Sequence, residues 1–103
     1  MGDTAPKKVR IYTVGQRSQL LREPITEVEF RGNSLSGLLR SVGSKNDAST
    51  LYEELVDEDG SFAHGYAMAV NGELIRCDEL DKRELPNSSD VVVIHLVQIP
   101  AGG

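Results

Sequence analysis

Val91-Val92-Val93-Ile94-His95-Leu96-Val97 is the stretch on which the fold turns. Val91, Val93 and Val97 fall on one face of an extended chain, and Val92, Ile94 and Leu96 on the other, with His95 the one polar interruption. A strand with one wet face alternates between apolar and polar residues, whereas a strand without a polar face belongs in the interior of a sheet. A central strand is therefore expected here.

Toward the N terminus, Asn87-Ser88-Ser89 reads as a turn, reached through Leu80 and Leu85. Before it, Tyr66 to Val70 is a strand, Asn71-Gly72 is the strongest two-residue hairpin signal in the chain, and Glu73 to Arg76 runs back. Lys8 to Val14 is β-rich and is broken by Gly15; Ile25 to Arg31 alternates Val28 and Phe30 with Glu27 and Glu29, as a half-buried strand does. Asn33 or Ser34 can cap a helix carrying Leu35, Leu38, Leu39 and Val42 on one side, with Gly43 suited to its C-terminal end. A shorter helical piece spans about Ser49 to Val56, and the acidic run Asp57 to Asp59 with Gly60 reads as a solvated turn.

Strand, strand, helix, strand, short strand, central strand is most economically arranged with the last strand parallel to the first and the helix crossing over between them. That is a β-grasp: an α+β fold with a mixed sheet of four to five strands and one main helix packed on one face. The expected organisation is a flexible tail over residues 1–7, one domain over 8–98, and a projecting tail over 99–103. At 103 residues a single core is expected.

Sixteen acidic against 11 basic residues give a net charge of −5, which opposes sequence-independent attraction to nucleic acid or anionic lipid. The longest apolar stretch is too short to span a bilayer and Met1 to Lys8 is polar, so a cytoplasmic protein is expected, with no membrane or nucleic-acid partner. Cys77 sits between Arg76 and Asp78 without a C-x-x-C neighbour and reads as a bystander. His64 and His95 are far apart with no third ligand at useful spacing, so they read as surface or strand residues and no metal site is expected. Gly15-Gln16-Arg17 lacks the further glycines and lysine of a phosphate loop.

After the central strand the sequence continues Gln98-Ile99-Pro100-Ala101-Gly102-Gly103. Pro100 has no N–H to extend a ladder and biases Ile99 toward extension, and two glycines let a backbone thread a narrow channel while leaving an acyl carbon open to attack. This ending resembles the small subunit of molybdopterin synthase, the MoaD family. Met68-Ala69-Val70-Asn71-Gly72-Glu73-Leu74-Ile75 resembles the hairpin that precedes the last strand in MoaD and ThiS sulfur carriers, members of the wider ubiquitin-like group. Two departures stand out: Asn87-Ser88-Ser89-Asp90 replaces that family's Gly-Asp turn, and the chain is longer than a minimal carrier, the excess falling near Ser41 to Gly65.

The resemblance implies a carrier and not an enzyme. The Gly103 carboxylate would be adenylated by a ubiquitin-activating-type adenylyltransferase using ATP and magnesium, neither bound by this chain, and then converted to a thiocarboxylate. Ile99, Pro100, Ala101 and Gly102 would be gripped by the partner. The acceptor would be a synthase large subunit in molybdenum cofactor biosynthesis, or another sulfur acceptor serving thiamine, cysteine or tRNA thiolation. A ubiquitin-like modifier joined to lysines of target proteins through Gly103 uses the same activation, and an interaction module with an inert tail is the third reading. One sheet face is expected to dock the partner, unless the segment between Ser41 and Gly65 covers it.

Overall fold

The structure, a computed structural model, describes residues 6–14, 21, 23–44, 48–86 and 91–98. Strands β1 (Lys7–Val14) and β2 (Ile25–Phe30) pair antiparallel, from Lys7 opposite Phe30 to Tyr12 opposite Ile25. Lys7 thus already belongs to the sheet, one residue ahead of the expected domain start. Val9 and Ile11 are fully buried while Arg10 and Tyr12 stand on the opposite face, the period-two division that a half-covered sheet imposes.

Helix α1 (Leu35–Ser41) starts where the Ser34 hydroxyl accepts the Gly37 N–H at 2.8 Å, satisfying one of the donors a helix N terminus leaves unpaired. Leu35, Leu38 and Leu39 point into the core. The helix ends differently from expectation. Val42 is the C-terminal cap in an extended conformation, and Gly43 follows as one side of an isolated bridge to Thr50. Val42 is buried and its carbonyl accepts the Leu51 N–H at 2.7 Å, so packing and a bridge stop the helix there, without a left-handed glycine.

Helix α2 (Leu51–Leu55) is held by a reciprocal cap: the Glu53 N–H donates to the Thr50 hydroxyl at 3.3 Å, and the Thr50 N–H donates to Glu53 Oε1 at 2.9 Å. Arg40 on α1 lies 4.1 Å over the Tyr52 ring, which ties the two helices together. A 3₁₀ turn over Ala63–Gly65 leads into β3 (Tyr66–Val70), and Asn71 at φ 50° with Gly72 at φ 85° turn the chain into β4 (Glu73–Ile75). Left-handed φ at both central residues matches the strand twist of a tight hairpin, the reason an Asn-Gly pair occupies it.

The last strand, β5 (Val92–Gln98), runs parallel to β1 and antiparallel to β3, giving the sheet order β2-β1-β5-β3-β4. It is the middle strand of five, as its lack of a polar face requires. The architecture is α+β with the β-grasp arrangement. One apolar cluster joins Val92, Ile94 and Leu96 to leucines of both helices, so α1 and α2 cover the same side of the sheet. The described residues of the longer segment near 41–65 therefore thicken the existing core and do not cover the other face. The stretch from Cys77 to Leu85 closes the core's rim: Leu80 and Leu85 are buried, and the Leu35 and Leu85 N–H groups donate to Arg83 and Asn33 carbonyls at 3.1 and 2.6 Å.

Candidate functional site

The expected reactive group, the Gly103 carboxylate, and the expected partner-binding residues Ile99, Pro100, Ala101 and Gly102 lie outside the described residues. The structure places the platform from which they leave. Gln98, the last residue of β5, is opposite Tyr66, the first of β3, while β1 stops at Val14 opposite Val97. The end of the central strand thus shares one rim of the sheet with the end of β1 and the starts of β2 and β3. A strand paired on both sides opens only with much of the domain, so the root of the tail is held rigidly.

The face opposite the helices carries a row that crosses all five strands. Register sets Ile25 of β2 beside Tyr12 of β1, Tyr12 beside His95 of β5, His95 beside Ala69 of β3, and Ala69 beside Leu74 of β4. The Tyr12 and His95 rings stack with centroids 4.9 Å apart and planes inclined by 15°. Offset stacking of this kind contributes about 0.5–1.5 kcal/mol beyond area burial. At the two ends of the row stand the exposed large hydrophobics of the described residues, Ile25 at 49% and Leu74 at 72% of full exposure. Half-buried Val93, Val97 and Ala67 flank the centre. The face is apolar and aromatic across its middle, with charge confined to the β2 side.

There Arg10 meets Glu27 at 2.6 Å. Tyr12 foremost, then Glu27, holds the Arg10 guanidinium more firmly protonated than an ordinary arginine. Both partners are substantially exposed, so the pair positions side chains more than it stabilises the fold.

Cys77 and Asp59 have structural surroundings. Cys77 is half-buried against the core, and burial, followed by the charge of Asp78, pushes its thiol above the ordinary range, the reverse of what a nucleophile needs. Asp59 accepts the Ser61 hydroxyl at 2.6 Å and the Ser61 N–H at 3.1 Å, bonds that hold its carboxyl below the usual range and close the acidic turn. His95 lies at the centre of the open face, and the side chain of His64 lies outside the described residues. No group of three or more His, Cys, Asp or Glu side chains among the described residues could hold a metal ion, and no helix among them is long and apolar enough to cross a membrane.

Sequence reasoning anticipated an apolar second face on β5 and missed the row itself. Tyr12 was legible as a residue on the face opposite Ile11, and His95 as opposite Ile94, but joining them needs the parallel register of β1 and β5. Alternation within single strands carries no register between strands.

No protein-family model matches the chain, and no curated protein matches it. Its backbone is similar to the solution structure of the HVO 2177 protein of Haloferax volcanii, at 15% sequence identity and a TM-score of 0.60, over 100% of this chain and 92% of that one. At that identity the likeness speaks to architecture, and what the two chains share is a β-grasp-like fold.

Proposed function

We propose that this chain is a carrier protein activated at the Gly103 carboxylate: a ubiquitin-activating-type adenylyltransferase forms an acyl-adenylate from ATP, and a sulfur donor displaces AMP to leave a thiocarboxylate. The observation that carries the reading is the position of β5. A central strand, parallel to β1, delivers Gln98 to the rim of the sheet immediately ahead of Ile99-Pro100-Ala101-Gly102-Gly103. A rigid root followed by a proline and two glycines suits a tail that must enter another protein's active site as an extended chain. The resemblance of the Val70-Asn71-Gly72 hairpin and the Gly-Gly ending to MoaD and ThiS proteins favours the small subunit of molybdopterin synthase, a carrier and not a catalyst.

The open row from Ile25 to Leu74 supports the same reading. It is a contiguous apolar strip beside the exit of β5, of the kind that marks a protein interface, and it is assigned here to the activating enzyme or the synthase large subunit. Intact mass spectrometry of the chain after incubation with a cognate activating enzyme, ATP, magnesium and a sulfide source tests the proposal. Exchange of one carboxylate oxygen for sulfur supports it. Transfer to lysines of other proteins, without that exchange, would replace the sulfur carrier by the modifier reading.

A further inference from the structure

We propose that the outer edge of β2 accepts an extended segment of a partner protein as a sixth strand, and that this segment alternates basic and apolar side chains. Among the described residues, β2 is the terminal strand of the sheet. The Thr13 N–H donates to the Pro24 carbonyl at 2.9 Å, and this fixes which residues of β2 bond to β1. In an antiparallel pair the bonded positions alternate, so Thr26, Val28 and Phe30 face inward along the ladder. The N–H and C=O groups of Ile25, Glu27 and Glu29 therefore point away from the sheet. The opposite edge, β4, has only three residues, whereas β2 has six and is long enough to register a partner strand.

The side chains on either side of this edge say what kind of strand fits. On the open face, Lys8 stands opposite Glu29 and Arg10 opposite Glu27, so the sign of charge alternates from β1 to β2. Opposite charges directly across from one another stabilise neighbouring strands and like charges do the reverse, so a strand beyond β2 should present basic residues there. On the helix side, Val28 and Phe30 are half-buried against the core, and the Phe30 ring runs under α1, where a Cβ at Gly37 would sit 3.5 Å from its Cζ. Side chains of the added strand on that side meet an apolar border. A second copy of this chain is the wrong occupant, because antiparallel pairing of two β2 edges would bring Glu27 and Glu29 of one copy against those of the other. The inference is independent of the tail chemistry, since an edge strand can be filled whether or not Gly103 is activated.

The test is a titration of the full, isotope-labelled chain, followed by NMR, with an acetylated and amidated hexapeptide of alternating lysine and valine, against a matched peptide with glutamate in place of lysine. The basic peptide is expected to shift the amides of residues 25–30 and to slow exchange of the Ile25, Glu27 and Glu29 N–H groups, while the acidic peptide leaves them unchanged. Glu29→Pro removes one outward N–H and one charge but none of the bonds to β1, and should weaken binding by about tenfold, as loss of one hydrogen bond does. Glu29→Lys keeps the N–H, so it remains informative if the proline variant does not fold; it should reduce binding of the basic peptide. No response at residues 25–30, an equal response to both peptides, or shifts centred on Tyr12 and His95 would overturn the proposal.

Discussion

Tyr12 and His95 lie on neighbouring parallel strands with their rings stacked at 4.9 Å, at the centre of the sheet face that the helices leave uncovered. The pair joins β1 to the strand that leads into the C-terminal tail. Tyr12→Ala or His95→Ala is expected to leave the domain folded, at a cost near 1 kcal/mol for the lost stack. With the open face as the proposed docking surface, each should weaken binding to the activating enzyme several-fold, because affinity is lost where an aromatic anchor at the middle of an interface is truncated. Calorimetric binding and thermal denaturation of the same variants check the two effects separately.

Val93 and Ile94 are neighbours in β5 that answer to different solvents, Ile94 fully buried and Val93 half-exposed on the open face. Ile94→Asp is expected to unfold the domain, since an unpaired carboxylate in an apolar core costs several kcal/mol. Val93→Asp should fold and should lower partner affinity. Circular dichroism of both variants decides it, and unfolding by both would mean that β5 is buried on each side.

Much of the fold was legible because strands announce themselves by alternation and turns by chemistry. Val91 to Val97 reads as a central strand from its two apolar faces, and the central strand is there, shifted by one residue to Val92–Gln98. Asn71-Gly72 reads as a tight hairpin because few other residues accept left-handed φ, and both residues have it. Gly43 shows the limit: as a glycine after Val42 it invites a left-handed cap, but a buried Val42 and the bridge to Thr50 end the helix instead. The row across the open face was illegible for a related reason, since pairing Tyr12 with His95 is a property of two strands 83 positions apart (95 minus 12).

Asn71 does more than turn the chain. Its N–H donates to the Val93 carbonyl at 2.7 Å and its Oδ1 accepts the Val93 N–H at 2.8 Å, so it carries the β3 ladder one residue past the strand's end. Asn71→Gly keeps the left-handed φ and removes only the side-chain bond, and should cost about 0.5–1.5 kcal/mol. Asn71→Ala loses the same bond and also places at left-handed φ a residue that tolerates it less well than asparagine or glycine, and should cost about 1 kcal/mol more. Chemical denaturation of the two variants should rank wild type, then Gly, then Ala.

Cys77 supplies a pH-dependent check. Burial first, and then Asp78, favours the neutral thiol in the folded state, so the protein binds that proton more tightly folded than unfolded. The associated stability is present below the ordinary thiol range and is lost as pH rises through the higher folded value. Alkylation by iodoacetamide should accordingly rise at higher pH for the folded chain than for the chain in denaturant. A folded-state profile at or below the denatured one would contradict this, and would reopen Cys77 as a reactive thiol.

The Gly103 carboxylate is the proposed reactive group, and its most direct test is AMP formation by the activating enzyme, with ATP, magnesium and a sulfide source, using the full chain and a chain ending at Ala101. The full chain is expected to support turnover and the shortened chain to support none, while both show the same thermal unfolding. AMP formed equally with the shortened chain, or with neither chain under conditions where the enzyme activates another carrier, would contradict the claim that this domain works through its terminal glycines.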